Sequence, residues 1–136
     1  MNKSIFLFIL KDNKFLSIVD SDNCWTMPGL QVEHDNIEAL CADNALSEFL
    51  NIEIENPLFC LYSGLLLNKR NPSRSSWATT FMFDATDVEV DLTNVAWRPM
   101  SDLMNDEALF KDYNKKVYEN YYLSKNPVFL ANEPTF

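Results

Sequence analysis

The 136-residue chain carries 20 acidic against 11 basic side chains and a single His, for a formal net charge of -9 and a pI near 4.4. Such a surface repels phosphate backbones, which sets nucleic-acid binding aside and favours a divalent cation or a basic protein partner. With 47% hydrophobic and 13% aromatic residues, a disordered acidic chain is excluded and one domain with its own core is expected.

The first apolar run, Ile5 to Leu10, is closed by Lys11 and Asp12. It is too short for a secretory leader, and no stretch reaches the ~20 apolar residues of a membrane span, so the cytosol is the expected compartment. Cys24, Cys41 and Cys60 are odd in number and form no CxxC pair. Neither a disulfide framework nor a zinc set is indicated.

In chain order, Ser4 to Lys11 and Phe15 to Val19 are β-permissive runs on either side of Asp12-Asn13-Lys14, which reads as a hairpin. Cys24 to Met27 leads into Pro28-Gly29, and the polar segment Leu30 to Asp35 reads as a loop. Asp35 or Asn36 can cap a helix over Ile37 to Leu50, whose apolar positions Ile37, Leu40, Cys41, Leu46, Phe49 and Leu50 fall mostly at helical spacing. Cys41 is expected to be inert packing on the buried face.

Ile52 to Glu55, Leu58 to Leu67 and Trp77 to Ala85 read as strands, with a basic turn over Asn68 to Ser75. Val88, Val90 and Leu92 alternate with polar residues, as in a short half-exposed strand. Ala96 to Pro99 runs into a short helix opened near Ser101. Glu107 to Leu123 follows as an amphipathic helix with Phe110, Tyr113, Val117 and Tyr121 on one face. Its other tyrosines make it a surface for an interface, and a homodimer stays open.

The order of hairpin, Trp25-x-x-Pro28-Gly29, loop, helix, Asn51-Ile52, strands and Trp97-Arg98-Pro99-x-x-Asp102-Leu103 resembles the Nudix hydrolases over residues 4 to 123. The resemblance implies an α/β/α sandwich with a mixed β-sheet, here a domain of residues 1–124 with a tail over 125–136. It also implies Mg2+-dependent cleavage of a nucleoside diphosphate derivative. In that family the motif GX5EX7REUXEEXGU places carboxylates at i, i+3 and i+4 of a helix, where hard oxygen ligands share Mg2+ with substrate phosphates.

Laid on this chain, the frame fits and the chemistry departs. The motif's first glycine falls on Leu30, its first glutamate on Asn36 and its arginine on Asn44. The three helix carboxylate positions hold Ala45, Glu48 and Phe49, and the last glycine is Asn51, which tolerates a left-handed helix end. Shifting the frame by one residue onto Gly29 places Asn44, Ser47 and Glu48 at those positions, which is no better.

Glu48 alone is an inadequate Mg2+ site, so tight binding of this cofactor is not expected. The leading expectation is therefore a degenerate Nudix protein that binds a nucleotide-like small molecule or a basic protein partner. The rival is a hydrolase in which Glu48 works with the loop acids Glu33 and Asp35, and a third reading is a protein-binding inhibitor or immunity-type module. Glu48 reads either as a surviving metal ligand or as a solvated helix residue. Ala45 and Phe49 read as an apolar patch that closes the old pocket or faces a partner, with closure the favoured of the two. His34 can touch a ligand or simply face solvent, and Lys69, Arg70 and Arg74 can hold a phosphate or form a solvated tip.

Overall fold

The computed structural model describes residues 2–19, 24–33, 36–54, 58–67, 71–105 and 110–125. The run Ile5 to Ile9 is apolar without alternation and buried throughout. A strand of that kind must be covered on both faces, and β1 (Asn2–Lys11) accordingly lies inside the sheet. Phe6 and Phe8 enter one core, with Phe15, Trp25, Tyr113, Val117 and Tyr121. Ile5, Leu7 and Ile9 enter the other, with Ala42, Leu46 and Leu50.

After β1 come β2 (Lys14–Val19), β3 (Trp25–Thr26), β4 (Gly29–Val32), α1 (Glu38–Leu50), β5 (Phe59–Leu66), β6 (Ser76–Asp84), β7 (Val95–Pro99) and α2 (Lys111–Lys125). The sheet runs β3-β2-β1-β6-β5, with β4 also on β1 and β7 also on β2. β1 and β6 are parallel and the other pairs antiparallel, so the sheet is mixed. With α1 packed on one face and α2 on the other, the expected sandwich is what forms.

Asp12 (φ 53°) and Asn13 (φ 61°) both take the left-handed backbone that a two-residue hairpin turn requires, closing β1 on β2 at Lys11 and Lys14. Farther back along β1 the partner changes: Lys3 to Phe6 pair with β4, while Leu10 and Lys11 pair with β2. Leu7 sits at the change, its N–H donating to the Pro28 carbonyl at 2.8 Å. Gly29 is obligatory there, because a Cβ would stand 2.6 Å from the Ile5 carbonyl oxygen and 2.6 Å from the Phe6 ring.

Several expectations are corrected. Residues 29–32 form β4 rather than a loop, because Gly29 to Val32 finds the free edge of β1. Residues 52–54 form no strand, although Ile52 and Ile54 pack on the α1-side core. Val88, Val90 and Leu92 do turn inward onto that core, but without a ladder, since β7 takes the edge of β2. The short helix after Pro99 is present as a 3-10 turn over Met100–Met104.

On α1 the buried stripe is Ala42, Leu46 and Leu50, while Ile37 and Leu40 are exposed. Asn36 makes no cap: the N-cap position is Ile37, without a side-chain hydrogen bond, and Asp35 lies outside the described residues. The start of α1 is instead tied down by Glu38. Trp77 Nε1 donates to Ser63 Oγ (2.7 Å), Ser63 is hydrogen-bonded to Thr79 (2.9 Å), and Thr79 Oγ1 donates to Glu38 Oε2 (2.7 Å). Lys3 Nζ lies 3.5 Å from the other carboxylate oxygen. At the far end Asn51 takes φ 54° and ψ 51°, the left-handed helix stop anticipated for it.

Candidate ligand-binding cleft

The change of partner along β1 spreads β2 away from β4, and α1 crosses the fork. A cleft of about 530 Å³ results, in the size range of small-molecule sites (~300–1,000 Å³). Leu7 and Ile18 from the sheet and Pro28, Gly29 and Leu30 from the entry to β4 form one side. The α1 side is made by Cys41, Asn44, Ala45, Glu48 and Phe49, which share a helical face at spacings of three, four and seven. Phe49 also lines an adjoining depression with Glu89, Val90, Asp91 and Leu92.

Three consequences follow from the lining. Ala45 and Phe49 do not close the cleft as expected; they form its wall, because Leu46 and not Phe49 is the fully buried residue of this helix segment. Cys41, expected to be inert packing, is half-buried and lines the cleft too. Glu48 is an exposed helix residue and at the same time the one charged group among the described lining residues.

As a cation site the donor set does not fit. Mg2+ needs several oxygen ligands in an ordered octahedron, and beside Glu48 the helix offers a thiol, an amide, a methyl and a phenyl group. Among the described residues no three His, Cys, Asp or Glu side chains come together in a way that could hold a metal ion. Glu33 is not among the residues that line the cleft: β4 passes Leu30, the last of its lining residues, and reaches Val32 opposite Lys3. At about 3.3 Å per residue Glu33 lies roughly 13 Å beyond Gly29. Its carbonyl instead accepts from the Asn36 N–H at 3.0 Å.

His34, Asp35, Lys69 and Arg70 lie outside the described residues. Arg74 ends the turn Pro72–Arg74 just before Ser76, which pairs with Asn2. From Asn2 to Leu7 is about 17 Å of strand, so the backbone of Arg74 stands at the opposite end of β1 from the cleft. Sequence reasoning missed Leu7, Ile18 and Cys41 as lining residues. On the strand side only Pro28-Gly29 and Leu30 carried a signal, because the fork arises from strand pairing and not from a motif.

No family model matches the chain, and no curated protein matches it. Solved structures do. A NUDIX hydrolase from Nitrosomonas europaea superposes with a TM-score of 0.66 at 15% identity, over 91% of this chain and 90% of that one. A C. elegans Ap4A hydrolase binary complex gives a TM-score of 0.64 at 19% identity, over 96% and 98%. The chain has the Nudix fold. A MutT protein from Methanosarcina mazei Go1 agrees, with a TM-score of 0.64 at 17% identity over 91% and 95%. The helix residues on which the sequence resemblance laid the motif, Asn44, Ala45, Glu48 and Phe49, line this cleft. Among the described residues no helix is long and apolar enough to cross a membrane.

Proposed function

We propose that this is a Nudix-fold binding protein that holds a nucleoside-bearing small molecule in the α1 cleft without metal-dependent hydrolysis. The observation that carries the reading is that Asn44, Ala45, Glu48 and Phe49 together line an open cleft while supplying one carboxylate. The ligand class is suggested by the nucleotide compounds named for similar folds, Ap4A for the C. elegans hydrolase and ADP-ribose for a bifunctional Francisella tularensis enzyme. Thermal unfolding of the protein with adenosine, ADP-ribose and Ap4A, each with and without Mg2+, tests it. Stabilisation independent of Mg2+, with no product formed, is the expected result. Mg2+-dependent turnover abolished by Glu48→Gln would overturn it in favour of a rebuilt hydrolase.

A protein partner is the second reading, and a different surface favours it. Among the described residues β5 pairs with β6 alone, and Phe59 to Leu67 contains neither a charged residue nor a proline. Edge strands ordinarily carry such residues to block pairing with another chain. Leu65 and Trp77 are nearly half exposed beside this edge. Light scattering on the protein and on Leu65→Lys tests whether a second copy uses it, a mass that falls on substitution being the supporting result.

A further inference from the structure

Among the described residues, the charges that line the cleft and the depression beside it are all of one sign. Glu48 lines the cleft, Glu89 and Asp91 line the depression behind Phe49, and no Lys or Arg is among the lining residues of either space. Among the described lining residues, a phosphate placed against α1 would meet Glu48 with no basic side chain between them. Much of the remaining lining is apolar: Leu7, Ile18, Pro28 and Leu30 from the strands, and Ala45 and Phe49 from the helix. Asn44 and Glu48, one turn apart, are the polar side chains on the helix wall. A carboxylate only accepts hydrogen bonds, while the amide both donates and accepts.

From this charge pattern we infer that the α1 cleft takes a planar heteroaromatic group, neutral or cationic, whose edge presents an amino or ring N–H donor to Glu48, and that it rejects anionic groups. The inference rests on the ligand-binding reading above and reverses the polarity of the site: the helix face that in the Nudix motif serves a metal-bound diphosphate here serves the opposite end of a ligand. A nucleoside-bearing molecule would enter base first, with any phosphate directed outward.

The test uses two probes of one shape, 2-aminobenzimidazole and benzimidazole-2-carboxylate, titrated without metal into the 15N-labelled full-length protein while the amide signals of α1 are followed. The amine should shift the signals of Asn44 and Glu48 and bind about tenfold or more tighter than the carboxylate, as expected when a repulsive contact with Glu48 is replaced by an attractive one. Glu48→Gln should close most of that gap, and Glu48→Lys should reverse the order. Because Glu48 is exposed, both variants keep the core intact, which thermal unfolding verifies. A carboxylate that binds the wild type as well as the amine overturns this inference and leaves the ligand-binding reading standing. No response of α1 to either probe, nor to adenosine, overturns both.

Discussion

Glu48 stands one helical turn beyond Asn44 on α1, and both line the same cleft with Phe49 on its α1 wall. If the missing carboxylates are what separates this site from a cation site, restoring them should create one. Ala45→Glu with Phe49→Glu places acids at i, i+3 and i+4 around the existing Glu48. In that double variant millimolar Mg2+ should raise the unfolding temperature by a few degrees, since a ligand at ten times its Kd stabilises by about 1.4 kcal/mol. The wild type should show no such rise, and an equal rise in both would mean that the native cleft already holds the ion.

Leu46 is fully buried between the cleft residues and the sheet. Leu46→Ala removes its contacts with the α1-side core and should cost about 2–5 kcal/mol in urea unfolding. Leu40→Ala, on the exposed side of the same helix, should change stability by less than about 0.5 kcal/mol. Similar losses in the two variants would contradict the assigned helix face.

The left-handed stop at Asn51 predicts a third pair of outcomes. Asn51→Ala should cost about 1 kcal/mol because a Cβ without a compensating polar group is strained at φ 54°. Asn51→Gly should be neutral or slightly stabilising. Denaturant midpoints of the two variants check the order.

Thr80 Oγ1 and the Tyr113 phenol share a hydrogen bond of 2.8 Å inside the α2-side core, where Thr80 has no exposed surface. Tyr113→Phe strands the threonine hydroxyl and should cost about 1–3 kcal/mol. Burial pushes the Tyr113 phenol well above its ordinary value of 10.0, an effect that the Thr80 hydrogen bond partly offsets. A group whose folded pKa is raised holds its proton more tightly in the native state. The stability it contributes is therefore complete below about pH 10 and is lost as the pH rises above that value. Ultraviolet titration should show the Tyr113 phenolate only as the chain unfolds, whereas early ionisation would disprove the burial.

How much of this was legible beforehand depended on the range of each interaction. The hairpin turn, α1 and the left-handed stop at Asn51 are local, fixed by apolar spacing and by residues that tolerate positive φ. The Nudix frame and the occupation of its carboxylate positions by Ala45 and Phe49 are equally a property of the sequence, and these are helix residues that line the cleft. The alternation of Val88, Val90 and Leu92 correctly signalled which side chains turn inward. It could not say that β7 would take the edge of β2 and leave those residues without a ladder.

The tertiary structure alone decided what the altered helix face surrounds. The fork at Leu7 exists because β1 changes partner from β2 to β4, and no residue of the motif encodes that pairing. The same pairing carries β4 along β1 past Leu30, leaving Glu33 out of the cleft lining, and it leaves Ala45 and Phe49 as the wall of an open cleft rather than its plug. Local sequence determines which groups a helix can present, because side-chain direction follows from its own periodicity. Whether those groups meet a metal, a ligand or one another is settled by contacts between segments far apart in the chain, which no local pattern contains.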